Sequence, residues 1–419
     1  MGKGFVMKRY HLVLILSLIC NLSFAQGEAA IPFLELQQSP LLQGAGQIGV
    51  SIPMSDPLGF YLNPAQLGYF SRENSFSVFA LPQKVKWLGN FFPGLTFQTF
   101  GITAGYNFRN SKNNLPLSIG AGYIHNRMSY GKFAGTNGSF ESYDDFDCYS
   151  LGAGYEYYLL FNLGFSIKPF SSHLAQREDG TPVQASGTAF DFGVLITAPI
   201  SKLLFDNNEY TLDPNSYVKP RFDFSLGYSV LNFGKKISYI NTSQADPIPR
   251  TARFGYTFNF GLDLFTNKYK LNTVDYSFTA EAEDILIKRS IDYNSNLNIS
   301  EYQNIWGDIN FVKNLIELKG DQNIIVHRGH IFRLFETLIL TSGRFNGRGY
   351  DNRKADGFGI SSEGIFKLLS ASMNNSTVSF IADHLSLEYY DTNAFVDSDF
   401  ETNFKGLALY FKNFGFLFN

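Results

Sequence analysis

The sequence predicts an all-β fold: a transmembrane antiparallel β-barrel of about 14 strands preceded by an N-terminal lead-in. Three observations predict it. Apolar and polar residues alternate along many segments, as in Phe254, Tyr256, Phe258, Phe260, Leu262 and Leu264, whose intervening positions are Gly, Thr, Asn, Gly and Asp. The chain is rich in residues that suit such surfaces, with 43 Phe, 24 Tyr and 38 Gly in 419 residues, yet its mean hydropathy is only −0.09. No apolar run after residue 25 approaches the roughly 20 residues that a spanning helix needs.

From the N-terminus, residues 1–25 read as a secretory leader. Lys3, Lys8 and Arg9 precede the apolar run Leu12 to Ile19, and Ser23-Phe24-Ala25 offers a small-x-small cleavage site. Cys20 follows bulky Ile19, a poor lipobox. Removing the leader lowers the 34 basic residues to 31, against 37 acidic ones. That balance lacks the basic patch of a nucleic-acid binder. Of the two cysteines only Cys148 then remains, so no internal disulfide forms.

Residues 26–73 read as the N-terminal lead-in and 74–419 as the barrel. Strand candidates fall at 74–81, 97–108, 116–130, 145–158, 161–169, 186–197, 219–233, 250–265, 271–285, 324–334, 336–346, 356–368, 376–391 and 403–418. Several reach the roughly 9–11 residues that cross a bilayer at a tilt. Tyr155, Tyr157, Tyr158, Tyr389 and Tyr390 suit an interfacial girdle, and the chain ends on Phe414, Phe416, Leu417, Phe418 and Asn419. The same period also serves an exported β-sandwich. Stretches 131–144, 170–185, 201–218 and 286–322 read as longer connections, the last with a weak helical signal from Val312 to Leu318.

Chemical motifs are few. Gly44, Gly46 and Gly49 form G-x-G-x-x-G, but no strand precedes them and no helix follows, so close backbone packing explains them better than a dinucleotide. His327 and His330 fall on opposite strand faces, which is poor for a shared metal. Asp144, Asp145 and Asp147 read as a solvated loop. Glu281 and Glu283 point to the polar lumen. No nucleophile elbow appears. The sequence thus requires no enzyme activity, metal or cofactor.

Leu62-Asn63-Pro64-Ala65 resembles the Asn-Pro-Ala motif at the start of the long-chain fatty-acid transporter (FadL-like) barrels. Ala30 to Leu34, Gly44 to Val50, Asp56 and Asn63-Pro64-Ala65 together resemble the opening of PorV/PorQ-type members. Gly187 to Val194 and Val230 to Tyr239, followed by Pro247 and Pro249, are similar as well. The likeness spans residues 30 to about 265, and the last third shares only strand rhythm. The resemblance implies a 14-stranded barrel in the outer membrane of a Bacteroidetes-type bacterium, with residues 26–73 as an N-terminal segment plugging the lumen. It also implies a plug motif of Gly44, Gly46, Gly49, Asn63, Pro64 and Ala65. For PorV-type members it implies a type IX secretion role, with secreted cargo C-terminal signal domains and secretion components as partners beside outer-membrane lipid. On that reading Ile305, Trp306 and Phe311 form the partner-binding loop. FadL-like passage of a small hydrophobic compound is the alternative. A deacylase is a third reading, but it lacks a Ser/His/acid constellation.

Overall fold

The computed structural model describes residues 29–414 apart from 89–90, 93, 111–114, 136–137, 206–208, 242–244, 268, 293–296 and 374. The expected leader and cleavage site, and Phe416, Leu417 and Phe418, lie outside these residues. Fourteen strands close one antiparallel sheet. They are β1 (Phe76–Ala80), β2 (Thr96–Asn107), β3 (Leu117–Gly135), β4 (Gly138–Glu156), β5 (Leu160–Gln176), β6 (Pro182–Ala198) and β7 (Ser216–Gly234). The circuit continues through β8 (Thr251–Thr266), β9 (Lys270–Ile285), β10 (Ile324–Leu334), β11 (Leu338–Gly347), β12 (Tyr350–Ser361), β13 (Leu385–Val396) and β14 (Thr402–Phe411). Closure is made by β1, which pairs Phe76 with Phe411 of β14 on one side and with Ala104 of β2 on the other. Closing the ring pairs most of the backbone groups that an open sheet would leave at its edges.

The period-two pattern sorts the two faces. On β4, Tyr149, Leu151 and Tyr155 are exposed while Cys148 and Ser150 are buried. On β8 and β9 the inward set includes Arg253, Thr257, Thr279, Glu281 and Glu283, all buried. The barrel is therefore turned out, apolar outside and polar within, as a bilayer requires.

Residues 29–75 thread the lumen from one end to the other. Ala30 N donates to Pro247 O at the far end, while Asn413 N, beyond the last strand, donates to Glu73 O at the near end. The segment forms short helical turns, among them α1 (Pro40–Gly44) and α2 (Gln66–Phe70). Pro40 suits the first turn of α1, and the Ser39 hydroxyl caps it by accepting from Leu42 N at 3.3 Å. Wall side chains hold the plug backbone directly. Thr392 donates to Pro40 O at 2.9 Å, Ser229 to Leu62 O at 2.7 Å and Ser118 to Gly68 O at 2.7 Å.

Wall glycines make room for it. Gly164, Gly193, Gly227 and Gly329 face inward where a Cβ would overlap Pro64, Asn63, Val50 and Ala45 respectively. Gly46, in the plug, has φ of 87°, and a Cβ there would lie 2.9 Å from both Arg328 O and Arg344 N. That combination of left-handed backbone and closed space admits only glycine.

Four stretches differ from the sequence expectation. Residues 131–144 and 170–185 are mostly strand: β3 and β4 run to Gly135 and from Gly138, and β5 and β6 run to Gln176 and from Pro182. These parts extend past the apolar band, so both faces are polar and the alternation that marks a strand disappears. Asp144 accordingly lies in β4 facing inward, where Tyr130 donates to it, and is not a solvated loop residue. The strands expected at 356–368 and 376–391 instead contain α4 (Glu363–Ser372) and α5 (Ser376–His384). Ile365, Leu368 and Leu369 have helical spacing, and it prevails over the strand rhythm on either side. (A short turn at Ile200–Leu204 is α3.)

Replacing Gly227 with Val should force Val50 off the wall, at a cost of about 1–3 kcal/mol from overpacking alone. The assembled fraction, read as the heat-modifiable band on gels, should fall.

Candidate functional site

One carboxylate grips the plug at mid-lumen. Glu281 on β9 accepts from Gly49 N at 2.9 Å, Val50 N at 2.8 Å, Ser51 N at 3.1 Å and the Ser51 hydroxyl at 3.2 Å. Gly49, the last glycine of the G-x-G-x-x-G, thus feeds its N–H to a wall carboxylate and not to a phosphate. Three convergent N–H groups form an anion nest, and the anion is supplied by the barrel itself. Around it, Arg253 donates to Gln47 O at 3.0 Å and pairs with Glu283, while His327 Nδ1 lies 2.9 Å from Gly46 O. Arg348 at the far end bridges Glu35 of the plug at 3.1 Å and Glu283 of the wall at 3.6 Å.

The remaining motif residues lock the plug to itself and to the wall. Asn63 Nδ2 donates to Val50 O at 2.6 Å and to Val194 O at 3.0 Å, and Asn63 Oδ1 accepts from Ala65 N at 3.0 Å. Pro64 and Ala65 are buried with it, pressed on Gly164. Gly44 lies against Thr341 and Thr392. Gly44, Gly46, Gly49, Asn63, Pro64 and Ala65 thus all stand in one buried column. Asp56, also in the plug, accepts from the Ser39 hydroxyl and from Leu58 N, each at 2.8 Å. Burial pushes its carboxyl up to about 6 despite those donors.

The plug divides the lumen into two chambers. The far chamber holds about 260 Å³, with Phe33, Leu36, Trp87, Leu95, Tyr350 and Phe395 on its sides and Arg253, Glu283 and Arg348 in its floor. The near chamber holds about 230 Å³ and is polar, lined by residues such as Arg221, Asp223, Asp275, Arg333, Glu388 and Lys412. Ionic groups here are matched: Arg221 contacts Asp223 at 3.0 Å and also Asp275, and Arg333 lies 3.8 Å from Glu388. Among the described residues no group of three or more His, Cys, Asp or Glu has the arrangement to hold a metal ion.

Ile305, Trp306 and Phe311 sit elsewhere, on the outside of the barrel. Trp306 stacks on outward-facing Tyr228 at 5.6 Å, Tyr228 OH donates to Ile305 O at 2.6 Å, and Phe311 meets Phe254 at 6.3 Å. Asp284, turned outward on β9, holds this flap by accepting from Asp308 N at 2.6 Å. Trp306 remains 69% exposed.

Sequence reasoning missed Arg253, His327 and Arg348 as plug contacts, and it missed the buried pair Lys168–Asp191 at 2.8 Å. Alternation already placed Asp191 opposite Phe190 and Phe192, hence inward. Nothing in the sequence pairs it with Lys168, which lies on the neighbouring strand.

The chain matches no protein-family model and no curated protein. Among solved structures, it is similar to the Pseudomonas putida toluene transporter TodX at 10% identity and a TM-score of 0.40, covering 91% of this chain and 99% of that one. The Ralstonia pickettii toluene transporter TbuX is similar at 12% identity and a TM-score of 0.37, covering 90% and 99%. A Pseudomonas aeruginosa FadL homologue is similar at 8% identity and a TM-score of 0.38, covering 89% and 98%. Scores of this size leave the class to be argued from the chain's own pairings and faces. Those define a transmembrane β-barrel whose lumen is filled by its own N-terminal segment.

Replacing Glu281 with Gln removes the charge from the nest and should cost about 1.5–3 kcal/mol, the worth of charge-assisted hydrogen bonds. The amides of residues 49–51 should then exchange with solvent some tens of times faster by hydrogen-exchange mass spectrometry. The Asp56 carboxyl is raised, so its contribution to plug docking is full below the ordinary carboxylate range. It is lost as pH rises through about 6. Protection of residues 39–58, corrected for intrinsic exchange, should fall over that window, and Asp56→Asn should flatten the dependence.

Proposed function

We propose that this barrel passes a small hydrophobic compound across an outer membrane. The far chamber carries the reading. Its volume of about 260 Å³ exceeds the roughly 150 Å³ that accommodates benzene in an engineered cavity. It falls just short of the roughly 300–1,000 Å³ of drug-sized sites. Aromatic and aliphatic side chains form its walls, and the charges in its floor are paired, so it favours an uncharged apolar guest of one or two rings.

The wall beside this chamber is interrupted. β1 pairs with β14 only from Leu407 to Phe411 and leaves the ladder at Ala80; Val85–Lys86 pair again with Thr96 and Phe97 of β2 but not with β14, which begins at Thr402. Inside the break Trp87 packs on Phe97, Phe395 and Phe404 at 6.2, 5.7 and 6.1 Å. Trp87 and Phe395 also line the chamber. This aromatic seam is the proposed side exit, which spares the guest the polar near chamber. The far end is oriented outward, because the strands outrun the apolar band there with His125, Arg127, Asp145 and Asp147 on their outer face.

A type IX secretion role would rest on Ile305, Trp306 and Phe311 as a cargo contact. Their apolar side chains lie along the barrel's outer wall, which favours contact with lipid over capture of exported cargo. Deleting the gene tests both readings. Loss of uptake of a small aromatic hydrocarbon with normal cargo export supports the proposal; normal uptake with failed cargo export overturns it.

At residue level, Trp87→Asp puts a carboxylate into the apolar chamber and should lower uptake roughly tenfold, the equivalent of about 1.4 kcal/mol. Barrel assembly on gels should be unchanged. Equal uptake by that variant would remove the chamber from the route.

A further inference from the structure

The outward apolar band is uneven in height. On β8, Phe254, Tyr256, Phe258, Phe260, Leu262 and Leu264 share one strand face, as the period of two requires. Six such positions, at about 3.4 Å per residue and a tilt of about 35–45°, give the roughly 25 Å of a full lipid-facing band. The far side of the barrel does not reach that height. On β11 only Leu338 and Leu340 are apolar before Ser342 and Arg344, all exposed. On β12 only Phe358 and Ile360 follow exposed Lys354 and Asp356, and on β13 only Leu385, Leu387 and Tyr389 precede Asp391. Two or three positions per strand cover about 7–14 Å along the strand, well short of the bilayer.

The helical hairpin α4–α5 stands where the band is missing, at the near ends of β12 and β13. Ile365, Leu368, Leu369, Met373 and Phe380 are between 40% and 48% exposed. The charged side of α4 is used internally. Glu363 binds Lys412 at 2.7 Å and Lys367 at 2.9 Å, and Lys367 also pairs with Glu336 of the β10–β11 turn. Burial pushes the Glu363 carboxyl up, but the two ammonium groups outweigh it and hold it down at about 2. Gly364 lies so close to Phe335 O that no Cβ fits, which presses α4 onto that same turn. Asn375 caps α5 by accepting from Thr377 N at 2.9 Å. The hairpin is thus docked by its polar face and turns its apolar face outward.

We infer that α4–α5 is an interfacial lipid-binding element: its apolar face lies in the membrane leaflet at the near end and completes the band that β11–β13 leave short. Two points favour lipid over a protein partner or a second copy. The hairpin's exposed apolar residues continue directly from lipid-facing Ile360 and Leu387. Of the charged residues from 362 to 384, Glu363 and Lys367 are engaged and only Asp383 is exposed, so the surface offers a partner protein little polar specificity. An apolar face set against a polar one is the pattern of a helix that lies in the interface plane.

The test uses the full chain in phosphatidylethanolamine/phosphatidylglycerol vesicles. Spin labels go on Ile365→Cys, Leu368→Cys and Phe380→Cys, with Leu387→Cys as the lipid control and Glu317→Cys as the water control. Assembly of each is checked on gels. Collisions with oxygen should exceed those with a water-soluble nickel chelate at least threefold at all three hairpin sites, as at Leu387. Nickel accessibility equal to that at Glu317 would place the helices in water and overturn the inference. Shielding from both reagents would mean a protein cover, with a second copy shown by the mass of the complex. In the unmodified chain, a bilayer-partitioned diazirine should label the peptide spanning 363–384, and absence of that label would equally overturn it.

Discussion

Closing a sheet of fourteen strands into a ring creates an interior that must be filled without leaving backbone groups unpaired. Here it is filled by irregular chain, whose N–H and C=O groups cannot satisfy one another as a helix or ladder would. The structure follows from how that debt is met. Amide side chains within the plug take the carbonyls: Gln37 donates to Ile48 O at 2.8 Å, Asn63 to Val50 O and Gln66 to Ile52 O, each at 2.6 Å. The wall takes much of the rest through Glu281 and the inward-facing Ser and Thr hydroxyls. A tightly packed polar interior of this kind is stable only when nearly every member has its partner.

The same filling shapes the function. A plug that touches most of the circumference leaves a volume toward each end, and these two volumes differ in chemistry. The near one is ionic because the inward faces of β7–β10 bring Arg221, Asp275 and Arg333 together. The far one is apolar because Trp87 and Leu95 come from the β1–β2 connection and Phe33 and Leu36 from the plug's first turn. β1 can be short because Trp87 and its aromatic neighbours cover the gap it leaves. The seam and the chamber are therefore two consequences of one feature.

Outside, the barrel answers to a second constraint, the fixed thickness of a membrane. Some strands, such as β8, supply a full apolar face themselves, although the flap still packs on Phe254 and Tyr256 at its far end. Where the strands do not, other elements are brought to the wall. The flap bearing Ile305, Trp306 and Phe311 overlies Ala282, Ile324 and Val326, which are buried although they face outward. The hairpin α4–α5 does the corresponding work at the other end. Both are irregular departures from the barrel that leave its ladder intact.

Strand number, the sidedness of each strand and the placement of Glu281 and Glu283 in the lumen were legible in the sequence, because a period of two is a local property that survives any tertiary arrangement. So was the conclusion that Gly44, Gly46 and Gly49 serve close packing, since no strand and helix flank them. The far ends of β3–β6 were not legible, because beyond the lipid band both strand faces are polar and the pattern vanishes. Helix α4 is hidden although Ile365, Leu368 and Leu369 carry its period, since the surrounding strand rhythm masks those three residues of signal. What only the tertiary structure decided is which groups meet. Glu281 lies more than two hundred positions from the amides it holds, and Lys168 and Asp191 pair across neighbouring strands. Such contacts are set by the register and curvature of the closed sheet, and no local pattern encodes them.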